Sequence, residues 1–249
     1  AAYSERHDRT MNDETMAQRE KQGVVIAAAI IGGWGVNLAA LLTAGTTGLP
    51  PALWLPAIAV QTFLHTGLFI TAHDAMHGTV APANRRLNDR IGRLAVRLYA
   101  LFSFAKLEEK HWEHHDRPAS DDDPDHHDGG ADRFWPWYFG FIGEYIGFWQ
   151  IAGMALVYNV LLHLVGVEAM TLNLFWVLPS LLSTLQLFYF GTYLPHRRPD
   201  EGFADEHRAT TNDYSTLVSF LTCYHFGYHH EHHLHPGLPW WRLPRVREQ

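Results

Sequence analysis

Four long runs without a charged residue, at 24–45, 51–72, 146–167 and 171–193, constrain the fold of this chain more than any other feature. A helix advances about 1.5 Å per residue, so about 20 apolar residues cross the ~30 Å hydrocarbon core of a bilayer. Each run is therefore predicted to be a transmembrane helix. Short connections at 46–49 and 166–170 join the runs into two helical hairpins.

A net charge of −7 and a mean hydropathy just below zero look like a soluble protein, but those averages conceal the segregation. All nineteen Lys and Arg lie outside the two hairpin connections. Basic residues favour the cytoplasmic side of a membrane, which predicts that both termini and the polar segment between the hairpins lie there. Residues 1–22 are polar and meet an apolar segment too long for a signal-peptide core, so a mobile tail ahead of a retained span is expected. No Gly/Ser-rich linker divides the 249 residues, and one domain spanning 1–249 is expected. The single cysteine, Cys223, excludes an intramolecular disulfide and any multi-cysteine metal site. No nucleic-acid partner is expected.

Three histidine clusters stand beside the apolar runs: His73 and His77; His111, His114 and His115; His229, His230, His232 and His233. Positions i, i+3 and i+4 share one helix face, so each cluster directs two or three ring nitrogens one way. Three such faces can surround two metal ions. Neutral imidazole suits iron, zinc, copper and nickel, whereas a catalytic zinc normally takes three protein ligands. The inventory is larger than that, and Lys110 and Leu234 break the two zinc-protease patterns that the second and third clusters come near.

His196, after the fourth run, offers a further imidazole. Ligating imidazoles usually donate their second ring N–H to a carboxylate or carbonyl. Asp74, Glu113, Asp116 and Glu231 are placed for that role, while the Asp-rich stretch 120–128, with His126 and His127, reads as a solvated loop. Residues 90–104 alternate basic with apolar side chains, as an interfacial amphipathic helix does. Phe134, Trp135, Trp137, Tyr138, Phe141 and Trp149 are candidates for lining an apolar tunnel, or for a membrane-interface belt.

The box types and their order resemble the membrane-bound di-iron oxygenase and desaturase superfamily. More narrowly, the segments 73–80, 193–197 and 225–244 are similar to those of the bacterial β-carotene ketolases. The resemblance implies an all-α integral membrane enzyme with four transmembrane helices and a cytoplasmic helical cap, placed in the inner membrane. It implies two iron ions held by His73, His77, His111, His114, His115, His196, His229, His232 and His233, with no catalytic residue beyond the metal centre. His230 falls at a non-ligand position of its box, and His225 is a candidate for supporting the ligands from behind. Fatty-acyl desaturases carry an Asn four residues before the isolated histidine, where this chain has Thr192, a departure that favours an oxygenase outcome. The expected reaction is oxidation of β-carotene at ring carbon 4, with O₂ as co-substrate and electrons from a ferredoxin and its reductase. Zinc is expected to be able to replace iron in purified protein. The alternatives are a fatty-acyl or alkane hydroxylase or desaturase built on the same boxes and, more remotely, a His-rich metal-binding membrane protein.

Overall fold

The computed structural model describes residues 2–126 and 133–247, with side chains from residue 15 onward in the first helix. Among them the backbone is predominantly helical, and the only β pairing is an isolated bridge between Thr211 and Tyr228. The helices are α1 (Ala2–Gly48), α2 (Trp54–Met76), α3 (Arg85–Ala100), α4 (Phe104–Asp116), α5 (Phe134–Tyr145), α6 (Phe148–Val165), α7 (Ala169–His196), α8 (Thr216–Cys223), α9 (His229–Leu234) and α10 (Leu243–Arg247). Among the described residues four stretches are long and apolar enough to cross a membrane: Thr15–Gly48, Pro51–Met76, Phe148–Val165 and Ala169–His196. They coincide with the four uncharged runs, and the fold is all-α.

The first span departs from expectation at its start. Polar residues from Thr15 onward already belong to α1, because the C-terminal segment packs there: Arg242 Nη2 donates to Gln22 Oε1 at 3.2 Å. Beside it Gly23 lets the connection after α2 come close, since a Cβ on it would stand 2.2 Å from the Val80 carbonyl oxygen. The rest of the expected tail, up to residue 14, has no described side chains. At the other end α1 kinks at Gly45, whose φ of 62° suits glycine.

Polar side chains tie the spans together where water is scarce. Trp34 Nε1 donates to His65 Nδ1 at 3.0 Å, and Asn37 Nδ2 to Gln61 Oε1 at 2.7 Å, joining α1 to α2. The Thr66 hydroxyl meets Ser183 Oγ at 2.9 Å and Gln186 Oε1 at 2.6 Å, joining α2 to α7. Interhelical bonds of this kind contribute about 0.6 kcal/mol each. By contrast, among the described residues none covers the apolar face of α6, where Phe148, Trp149, Leu156 and Leu164 are exposed. In water such a patch would be a liability, and against lipid it is not.

The amphipathic helix exists, five residues earlier than its alternation predicts. Asn84 caps α3 by accepting from Leu87 N, and the helix ends at Leu101 in the left-handed conformation, with a φ of 58°. Its buried face packs on α2 through Gly92, where a Cβ would stand 2.8 Å from Ala75 Cβ and 2.3 Å from Phe104 Cε2. Arg86, Arg93, Leu94 and Arg97 point outward. This packing sets α4 beneath the end of α2.

Candidate metal centre

The spacing within each helix determines which imidazoles can meet. His73 lies in the last turn of α2 and His77 caps it. His111, His114 and His115 lie on α4, His196 ends α7, and His229, His232 and His233 lie on the short helix α9. A π-helical stretch, Phe188–Tyr193, precedes His196, a distortion common near functional sites.

Together these elements place eight imidazoles in two groups of four: His73, His77, His111 and His232, and His114, His196, His229 and His233. Within each group the potential ligand atoms lie within 4.8 Å of one another. Nε2 atoms approach closely, with His114 to His233 at 3.2 Å, His229 to His233 at 3.0 Å and His77 to His111 at 2.6 Å. His115 sits between the groups, its Nε2 3.1 Å from that of His232 and its ring centroid 4.3 Å from that of His233.

The donor set fits metal ions. With metal–nitrogen bonds of about 2.1 Å, neighbouring ligands on one ion stand ~3.0–3.4 Å apart, close to most of these separations. Nε2 of His73 and of His196 is buried without a partner, and a ligand atom directed at an ion has that appearance. Metal ligation also requires neutral imidazole. Burial pulls His77 down to about 3, and burial with neighbouring histidines holds His111, His115, His229, His232 and His233 below the ordinary histidine range.

His114 goes the other way. Burial lowers it, but the charges of Asp123 and Asp125 outweigh burial and raise it overall. Asp123 is the carboxylate that the sequence did not single out. It is 3% exposed and also accepts from Ala119 N at 2.7 Å and Asp125 N at 2.8 Å, so this part of the stretch read as a solvated loop is instead folded against His114. Residues 127–132, which include His127, lie outside the described residues. His196 has its Nδ1 2.8 Å from the Arg208 carbonyl oxygen. Asp74 is buried, with Oδ1 3.7 Å from His73 Nδ1 and Oδ2 accepting from Trp240 N at 3.2 Å.

Other expected supporting residues are placed elsewhere. Asp116 is exposed at the end of α4, because residues one or two positions apart on a helix do not share a face with His114 or His115. Glu231 accepts from Thr211 instead of meeting a ligand ring. His225 stacks on Tyr228 and packs near Trp240 and Phe220. His230 turns away to Asp205 at 2.7 Å. Thr192 is buried and lines a small chamber together with His73, His111, His114 and His229.

That chamber, of about 60 Å³, adjoins an apolar cleft of about 520 Å³ that runs between α2, α3, α6 and α7 past His65, Tyr99, Met154 and Trp176. Of the aromatic residues expected to line a tunnel, only Phe141 lines the cleft. Phe134, Trp137 and Tyr138 pack on Phe188 in a separate cluster, and Trp135 and Trp149 are exposed. The sequence did not point to Phe69, Tyr99 and Tyr145, because cleft membership depends on how helices distant in sequence pack.

The model of the fatty acid desaturase family matches residues 48–157 and 133–249. The chain is 44% identical over 225 residues to a β-carotene ketolase of Paracoccus sp. (strain N81106 / MBIC 01143), covering 90% of this chain and 91% of that protein. It is 40% identical to a β-carotene 4-ketolase of Haematococcus lacustris, covering 92% of this chain and 79% of the other. It is 41% identical to a zeaxanthin 4-ketolase of Chlamydomonas reinhardtii, covering 91% and 53% respectively. With a family match over most of its length and relatives of this kind, the chain belongs to the fatty acid desaturase family, among the kin of the bacterial β-carotene ketolases.

Proposed function

We propose that the protein is a β-carotene 4-ketolase that converts each ring methylene at carbon 4 to a ketone. The observation that carries this reading is the pair of four-histidine groups opening through a small chamber onto an apolar cleft between membrane-spanning helices. The names of its relatives point to the same substrate class.

The nine histidines are the proposed ligands of two iron ions, with His115 completing one of the two groups. Iron held there would supply oxidation of an unactivated C–H bond by O₂, with electrons from a ferredoxin and its reductase. The chain's own contribution is placement. The cleft takes a rigid polyene from the bilayer, its apolar walls exclude water, and burial favours the neutral imidazole at His77, His111, His115, His229, His232 and His233. Asp123 fixes the orientation of His114, and the Arg208 carbonyl that of His196. Each hydroxylation consumes one O₂, two electrons and two protons and releases one water. Two at the same carbon give a geminal diol, which loses water to form the ketone. The centre faces the cytoplasm beneath an inner-membrane span pair, in keeping with the placement of Lys and Arg.

Expression in a host that accumulates β-carotene tests this directly. The expected pigments are echinenone first and canthaxanthin later. Accumulation of zeaxanthin, or unchanged β-carotene beside altered fatty acids with folded, iron-loaded protein, would refute it.

A further inference from the structure

The cleft and the histidine-lined chamber are separate spaces that share three side chains, Phe69, Phe141 and Tyr145. These come from α2 and α5, so the boundary between the spaces is a ring of aromatics and not a single residue. The chamber behind it is small. An apolar cavity of about 150 Å³ takes one benzene, and the chamber, at about 60 Å³, is less than half that size. A substituted six-membered ring cannot pass inside whole.

The ring of aromatics is also held firmly. The Tyr145 hydroxyl donates to Asp125, whose other oxygen lies 3.8 Å from His114 Nδ1. Lys110 Nζ stands 5.2 Å from the centre of the Tyr145 ring and is bound to Glu144, through the carbonyl at 3.1 Å and through the carboxylate. Phe141 packs on Tyr145 at 5.0 Å and on Phe188 at 5.4 Å. Burial, reinforced by Asp125, raises the Tyr145 phenol well above its ordinary range, so it remains a hydrogen-bond donor at working pH.

We propose that Phe69, Phe141 and Tyr145 form a throat that determines specificity, admitting one edge of a substrate ring to the histidines and stopping the ring itself. The inference rests on the ketolase reading and extends it: the choice of carbon 4 is made where the cleft narrows, by how far the ring can advance. Loosening the throat lets the ring take other depths and tilts, which exposes carbons 2 and 3.

The test uses the full chain in cells making β-carotene, comparing wild type with Phe69→Leu, Phe141→Leu and Tyr145→Phe, with protein amount and metal content measured in each. The two Leu variants are expected to raise the share of products hydroxylated at ring carbon 2 or 3 about tenfold or more. Tyr145→Phe preserves the ring volume but removes the anchor to Asp125, and is expected to shift the ratio in the same direction by a smaller factor. A merely structural role would lower all products together. An unchanged product ratio in both Leu variants, or a parallel loss of every product from both with metal retained, would overturn the throat. A wild type that makes no ketocarotenoid would overturn the ketolase reading instead.

Discussion

Both carboxylate oxygens of Asp123 lie 3.0 Å from Nδ1 of His114, with the aspartate wholly inside the protein. The contact fixes which nitrogen of His114 is left to face its group of four. Asp123→Asn is therefore expected to weaken metal retention about 10- to 100-fold, the usual cost of losing such a partner. Titrating the purified variant with a chelator checks this, and wild-type retention would show that Asp123 only orders its loop.

Metal content should resolve the two groups of four. Wild type is expected to hold two ions per chain, whereas His232→Ala and His229→Ala should each lose one of them and all turnover. Zinc supplied in place of iron should fill the same ligands without supporting oxidation. Elemental analysis of purified protein is the measurement, and one ion or none in active wild type would defeat the two-metal arrangement.

Topology follows from the absence of Lys and Arg from both hairpin connections. A reporter fused after Gly48 should read as periplasmic and one fused after Asp89 as cytoplasmic. The opposite pattern would invert the proposed orientation.

His225 supplies a pH signature. Burial draws it down to about 4 from the ordinary value near 6.5, and its Nδ1 is buried without a partner. A lowered folded-state value means that the unfolded chain binds the proton first, so stability is complete above pH 6.5 and falls as the pH drops from 6.5 toward 4. His225→Phe should flatten that part of the profile. Thermal unfolding of detergent-solubilised protein across this range reads it, and an unchanged slope would exclude His225 as a contributor.

What the sequence revealed and what it concealed have one cause. Charge-free length identifies a span by itself, and i, i+3, i+4 spacing gives the shared face of His111, His114 and His115, because both are properties of a single helix. Asp123 was not legible, since its approach to His114 depends on the turn between residues 117 and 123, where Ala119 adopts a φ of 49°. Trp149 looked like a tunnel residue and is 83% exposed, because aromatic content does not say which side of a helix meets a neighbour. Tyr145, like Asp123, is not legible in the sequence, since it matters through Asp125 and Lys110, which reach it from other segments.

Each group of four draws on α9 as well as on helices made much earlier: His232 closes the group of His73, His77 and His111, and His229 and His233 close that of His114 and His196. During synthesis neither group can be completed until residues 229–233 have left the ribosome. By then all four spans have been made and can already be inserted, so the metal capture proposed for these groups is a post-insertion event. A ribosome that stops anywhere before α9 leaves an embedded chain with both groups incomplete, so on the proposed two-metal reading a partial product has no oxygenase activity.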